Sequence, residues 1–128
     1  MTKHATRLVL IAGLAVLGPA SAGALERAIY LLSQTASGYS AEGRSEGPAV
    51  DGGGVLTAYT SDALNLVSPP FRTFRDQIYL RDLDDVTSIL VSKNADGAAG
   101  NRPSQPGGFA PGISADGRFV AFSSQATN

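Results

Sequence analysis

The 128-residue chain contains no cysteine and no tryptophan, and its single histidine and single methionine are His4 and Met1. Without cysteine the chain can form no disulfide and has no thiol nucleophile or cysteine ligand for zinc. One histidine near the amino terminus gives little support to a serine nucleophile that needs a histidine base. Charged residues make up only 16% and the net charge is −1, so no basic patch predicts nucleic-acid binding.

Residues 1–22 have the three parts of a secretory signal peptide. Lys3 and Arg7 precede an apolar run at 8–17, and small residues follow at 20–22. We expect cleavage after Ala22 or Ala24, which leaves 8 basic and 11 acidic residues and a net charge of 8 − 11 = −3. An uncleaved membrane anchor is the alternative, but a spanning helix needs about 20 apolar residues. The sequence therefore predicts a periplasmic or secreted bacterial protein with no stable membrane insertion after cleavage.

Two segments of the remaining chain are copies of one pattern. The first copy is PAVDGGGVLTAYTSDALN at 48–65, and the second copy is PGISADGRFVAFSSQATN at 111–128. They align without a gap at an offset of 63, and 6 of 18 positions are identical. Upstream, LSQTASG at 32–38 matches VSKNADG at 91–97 at an offset of 59. The difference of four residues falls in the stretch PSQPGGFAPG, where a loop can absorb it.

Each copy predicts short antiparallel strands. In the first copy strands at 48–51 and 55–60 flank the glycine turn, and strands at 77–83 and 86–92 follow on either side of a turn at Asp84-Asp85. In the second copy Ala115-Asp116-Gly117 predicts a hairpin turn before a strand at 118–123. No convincing helical period occurs after the signal segment. A β-sandwich also explains the turns, but it does not explain two units at a near-constant offset, which favours β-propeller blades.

At these residues the chain resembles a family. The segments SADGRFVAFSSQATN, QIYLRDL and SKNADGAAGNRPS are similar to the TolB-like propeller repeats of bacterial exported proteins, and the resemblance covers most of residues 30–128. It implies an all-β propeller of about one and a half four-stranded antiparallel blades after the signal peptide. The first copy departs from the family motif at Gly52-Gly53-Gly54. We expect no counterpart of the α/β domain that precedes the TolB blades. The loop LVSPPFRTFRD at 66–76 also departs from the Asp-, Asn- and Gly-containing loops of such repeats, so we expect no cation site in it.

The repeat divides the chain into predicted units. Residues 48–92 are the first blade and residues 111–128 are the start of a second blade. The segment 28–34 is predicted to be the ring-closing strand of the last blade. Because propellers need about four to eight blades, we expect the sequence to be part of a longer protein, and we expect the isolated chain to expose strand edges that promote aggregation.

Four sets of residues are candidate sites, and each has a simpler structural interpretation. Ser92 beside Lys93 predicts a strand end rather than a Ser-Lys nucleophile, and Asp82, Asp84 and Asp85 predict a polar turn rather than a calcium site. The glycines at 52–54 lack the lysine and helix of a phosphate loop. The remaining set predicts a solvated loop anchored by two aromatic side chains rather than a partner-contacting loop, and it comprises Phe71, Arg72, Phe74 and Arg75. We therefore predict no catalytic, cofactor-binding or metal site.

Two classes of function agree with this sequence. One is a non-catalytic propeller that binds a protein or glycan partner in the cell envelope, which we prefer. The other is the amino-terminal propeller of a larger prolyl-oligopeptidase-like hydrolase, whose catalytic domain would carry a G-x-S-x-G elbow. A degenerate remnant of either remains a third interpretation. No cofactor and no nucleic-acid partner are expected.

Overall fold

The computed structural model describes residues 29–70 and 75–128. These residues contain six strands and no helix, which confirms the all-β prediction. Within them no helix is long and apolar enough to cross a membrane. The strands are β1 (Ser45–Val50), β2 (Leu56–Ser61), β3 (Gln77–Asp82), β4 (Thr87–Leu90), β5 (Gly112–Ile113) and β6 (Val120–Ala121).

The first four strands form one antiparallel sheet in the order β1-β2-β3-β4, so each strand pairs with its neighbours in sequence. The prediction of four short antiparallel strands is therefore confirmed. Tyr59 lies opposite Tyr79, and Tyr79 lies opposite Leu90, so an aromatic and apolar row crosses the sheet. The two tyrosine rings are stacked, with centroids 6.0 Å apart and planes at 26°. This row belongs to the buried core, which comprises Tyr59, Ala63, Leu66, Tyr79 and Leu90.

Strand β1 begins earlier and ends earlier than the predicted strand at 48–51. It starts at Ser45, and its pairing with β2 shifts register between Glu46 and Ala49. Gly47 has a φ of 61° and Pro48 lacks an amide hydrogen, so a bulge carries the strand past two residues that cannot continue a regular ladder. Asp51 falls outside the strand because its carboxylate holds the following turn.

The turns of the two copies have the same geometry. Gly54 and Gly117 have φ angles of 73° and 69°, a region that favours glycine. In each copy the side chain three residues before that glycine accepts a hydrogen bond from the amide two residues after it. The two bonds run from Leu56 N to Asp51 Oδ1 at 2.9 Å and from Phe119 N to Ser114 Oγ at 3.0 Å.

The second copy forms only a two-stranded sheet, in which β5 pairs with β6. The observed β6 is much shorter than the predicted strand at 118–123. Strand β2 reaches six residues because β3 pairs along its whole length. Among the described residues no strand pairs with the other edge of β6, so only the two residues opposite β5 are held in a ladder.

The segment predicted to close a ring, 28–34, is described only from residue 29. Its described part contains no strand, and Gln34 forms an isolated bridge with Ser40. The equivalent bridge 59 residues later joins Lys93 to Ala99. The upstream part of the repeat is therefore reproduced in the structure. The predicted signal peptide at 1–22 lies outside the described residues.

Candidate functional site

Ser92, one half of the Ser-Lys pair, is committed to the core of the first sheet. Its hydroxyl donates to Gln77 Oε1 at 2.6 Å and accepts from Ile78 N at 2.9 Å, and the residue is buried. Gln77 is also buried, and its side-chain amide donates to Gly100 O at 3.0 Å. A hydroxyl held by these two bonds stabilises the start of β3 and is not accessible to a substrate.

Lys93 is exposed and lines two surface clefts. One cleft, of about 220 Å³, lies between the end of the first sheet and the second copy. Its walls include Phe122, Asn94 and Asn128, so it offers an aromatic face, amide groups and one cation. The other cleft, of about 320 Å³, is lined by Lys93 together with Ser68, Ser88 and Ile89 among other residues. Both clefts therefore lie beside the candidate pair of Ser92 and Lys93.

The acidic cluster at Asp82, Asp84 and Asp85 forms the β3–β4 turn. Asp82 Oδ1 accepts hydrogen bonds from Asp84 N at 2.9 Å and from Asp85 N at 3.1 Å. This is the local bonding by which aspartate stabilises turns. Over residues 29–70 and 75–128 no group of three or more metal-ligating side chains was found.

The triple glycine makes the β1–β2 turn around Asp51. Asp51 Oδ1 accepts hydrogen bonds from Val55 N and from Leu56 N, each at 2.9 Å. The amide of Leu56 has the largest effect in holding the pKa of the Asp51 carboxyl below 3.8. Gly52 N donates to Ala115 O at 2.9 Å, so the turn also contacts the second copy. The glycines therefore serve a turn and a close backbone approach.

The loop that contains Phe71, Arg72, Phe74 and Arg75 is only partly described. Residues 71–74, which include both phenylalanines and Arg72, lie outside the described residues. Arg75 is exposed. The neighbouring Asp76 accepts from Arg44 Nη2 at 3.3 Å, in an ion pair at the protein surface, and such pairs contribute little to stability.

Sequence reasoning missed a buried arginine. Arg81 is 1% exposed, and its Nη1 donates to Ser88 Oγ at 3.2 Å. Its Nε and Nη2 have no hydrogen-bond partner, which is costly for a buried cation. Tyr79 lies two residues away in β3 and therefore on the same face of the sheet. Burial raises the pKa of Tyr79 to about 12. Strand alternation from Tyr79 is the signal that could have placed Arg81 inside.

The identical asparagines of the two copies have a common role that the sequence did not reveal. Asn65 Oδ1 accepts from Glu42 N and Asn128 Oδ1 accepts from Asn101 N, both at 2.9 Å. Glu42 and Asn101 are 59 residues apart, which is the upstream offset of the repeat. Each asparagine therefore ties the end of its copy to the segment that precedes the copy.

Comparison with family models, with curated proteins and with solved structures found no match. The interpretation of the site therefore depends on geometry alone. Ser92 and the acids are engaged in structural hydrogen bonds. The exposed side chains beside the cleft of about 220 Å³ are Lys93 and Phe122, whereas the oxygens of Asn94 and Asn128 accept structural hydrogen bonds. Such a set can bind a polar or extended ligand through hydrogen bonds and apolar contact.

Proposed function

We propose that the chain is a non-catalytic β-propeller module of an exported bacterial protein and that it binds a protein or glycan partner in the cell envelope. The TolB-like resemblance of the repeat motifs agrees with this proposal. One fold can host many functions, so the partner is defined here only by class.

The contact between the two copies is the observation that carries the proposal. Gly52 N donates to Ala115 O at 2.9 Å, and these residues are 63 positions apart. A Cβ atom placed on Gly47 would lie 3.1 Å from Ala110 Cα, and this pair is also 63 positions apart. Equivalent points of successive units therefore touch each other. Repetition of one such contact is what arranges four-stranded sheets around a ring.

The binding role is favoured over catalysis by how the polar side chains are used. The hydroxyl of Ser92 is buried in two hydrogen bonds, and Asp51 and Asp82 hold turns. Catalytic groups instead need a nucleophile within reach of a base and an open position for the substrate. The exposed groups around Lys93 have the chemistry of a recognition surface, with hydrogen-bond donors beside an apolar wall.

The decisive experiment for the fold is to sequence the coding region beyond codon 128. We expect further copies with an Asp-Gly turn at a spacing of about 60 residues, as in repeat architectures of this kind. A G-x-S-x-G elbow followed by Asp and His would instead support the hydrolase alternative. For the chain itself, we expect no turnover of peptide or ester substrates, and measurable turnover would contradict the proposal.

Export is tested separately, by fractionating cells that produce the tagged chain. Replacing Leu10 and Leu14 by arginine should keep the protein in the cytoplasm, because it interrupts the apolar run of the predicted signal. Thr6→Ser, just before that run, is the matched control and should be exported normally. Equal export of the arginine variant would show that residues 1–22 are not the signal.

A further inference from the structure

Strand β4 forms one border of the first sheet. The sheet has the order β1-β2-β3-β4, and within residues 29–70 and 75–128 no strand pairs with the far side of β4. The chain continues past β4 through the whole second copy without adding a strand there. A four-stranded blade ends at its fourth strand, so completion of the proposed ring would add no strand within this sheet.

The backbone groups that face outward from β4 belong to Ser88 and Leu90. Val91 N donates to Ile78 O at 2.8 Å, which makes these two residues a hydrogen-bonded pair of the antiparallel ladder. Because such pairs alternate along two strands, Ile89 bonds to β3, whereas the amides and carbonyls of Ser88 and Leu90 point away from it. These two residues therefore offer backbone donors and acceptors to an added strand.

The cleft of about 320 Å³ adjoins this edge and combines apolar walls with one cation. Three consecutive residues of β4, Ser88, Ile89 and Leu90, are part of its lining. Val67 and Lys93 are also part of it, and among the described residues no carboxylate lines it. A side chain on a strand added beside β4 would therefore meet aliphatic groups and an ammonium group but no negative charge.

A buried cation lies behind the Ser88 hydroxyl. Arg81 is opposite Ser88 in the ladder, is 1% exposed, and donates from Nη1 to Ser88 Oγ at 3.2 Å. Its Nε and Nη2 have no hydrogen-bond partner, and the salt bridges within residues 29–70 and 75–128 involve Arg44 instead. A hydroxyl that accepts from a guanidinium is polarised and becomes a stronger donor. The charge of Arg81 therefore favours an anionic group beside Ser88.

We propose that the outer edge of β4 binds an extended peptide that carries an acidic side chain. The peptide backbone would bond to Ser88 and Leu90, and its carboxylate would accept from the Ser88 hydroxyl and from Lys93. The outward backbone groups favour a peptide over a glycan, because an added strand continues the ladder and the cleft supplies the specificity. This inference rests on the proposed binding role but not on export or on closure of a ring.

The test uses the full chain and a fluorescently labelled peptide of alternating valine and threonine with one central glutamate and blocked ends. We expect saturable binding by fluorescence anisotropy at low salt. A matched peptide with glutamine in place of glutamate keeps the shape and loses the charge, so it should bind about tenfold more weakly. Absence of saturable binding, or equal binding of the two peptides, would overturn the inference.

Residue-resolved amide hydrogen exchange tests the location. The bound peptide should slow exchange at the amides of Ser88 and Leu90, which point outward, and should change it little at Ile89, whose amide already bonds to β3. Protection elsewhere in the chain without protection at Ser88 and Leu90 would overturn the inference.

Two variants that each remove one exposed positive charge test the contact with the carboxylate. Lys93→Gln should weaken binding of the glutamate peptide about fivefold, as for loss of one surface ion pair. Arg102→Gln, outside the cleft, should change it less than about twofold. Equal effects of the two variants would overturn the inference. Saturable binding of a uronate oligosaccharide in place of the peptide would also overturn it and would leave the proposed binding role standing.

Discussion

Two equivalent serines form the same two hydrogen bonds and differ in burial, and Ser61 in addition donates its hydroxyl to Arg44 O at 2.7 Å. Ser61 and Ser124 are identical positions of the repeat. Each hydroxyl accepts from the amide two residues later, Ala63 N and Ala126 N, at 3.1 Å. Each also accepts from a serine of the preceding segment, at 3.0 Å in the first copy and 3.2 Å in the second. Ser61 is 1% exposed, whereas Ser124 is exposed.

The expected losses of unfolding free energy for Ser61→Ala and Ser124→Ala depend on whether water can reach the groups that were bonded to each hydroxyl. Without the Ser61 hydroxyl, the amide of Ala63 loses its acceptor, and Ala63 is only 2% exposed. A buried donor left unpaired costs about 1–3 kcal/mol, so we expect a loss of about 2 kcal/mol. In the second copy water can replace the hydroxyl at the amide of Ala126. The Ser104 hydroxyl, which donates to Ser124 Oγ, is 0% exposed and loses its acceptor, so we expect a loss of about 1 kcal/mol.

The assay is urea unfolding of the two alanine variants and the unmodified chain, followed by tyrosine fluorescence because tryptophan is absent. An unchanged denaturant slope with a lower midpoint identifies a loss of stability. Thermal unfolding gives a second measure, since about 1 kcal/mol corresponds to roughly 4–8 °C in a unit of this size. Equal losses in both variants would refute the reasoning that coverage by β3 sets the cost.

Two further predictions concern the turns. Gly117→Ala should reduce stability more than Gly54→Ala. Both glycines have positive φ, which alone costs about 1–2 kcal/mol on substitution, but only a Cβ at position 117 would lie 2.6 Å from Leu56 Cδ1. Equal midpoints of the two variants in urea would contradict this packing. The folded pKa of Asp51 is below 3.8, so its contribution to stability is complete above pH 3.8 and is lost as the pH falls through the folded value. Asp51→Asn should therefore show a shallower fall of the urea midpoint at acid pH than the unmodified chain, and parallel pH profiles would count against this role of the carboxylate.

The parts of the fold that could be predicted are those determined by residues close together in the sequence. Asp-Gly and triple-glycine turns between apolar runs are local signals, and they located both hairpins. The exact course of β1 was not predictable, because the bulge at Gly47-Pro48 depends on its pairing with β2. The short length of β6 depends on which strands pair with it, and the residues at 118–123 do not by themselves indicate those strands.

The candidate site divides in the same way. The β3–β4 turn was interpreted correctly from its aspartates, because the Asp82 carboxylate accepts from the amides of Asp84 and Asp85, two and three positions away. The role of Ser92 depends on Gln77, fifteen positions earlier, and could not be read from its neighbour Lys93. Arg81 is buried although arginine is usually exposed. Alternation along β3 indicates that Arg81 shares a face with Tyr79, and packing decides that this face is covered.

The sequence by itself determined the all-β class, the positions of the turns and the two repeat copies, since backbone preferences and strand alternation act over a few residues. Tertiary structure decided which copy is covered. The same serine, alanine and aromatic pattern is buried where β3 pairs with β2 and open where β6 has one neighbour among the described residues. Burial is a property of contacts between distant segments, so the equivalent positions of two copies differ in exposure according to the strands that pair with them.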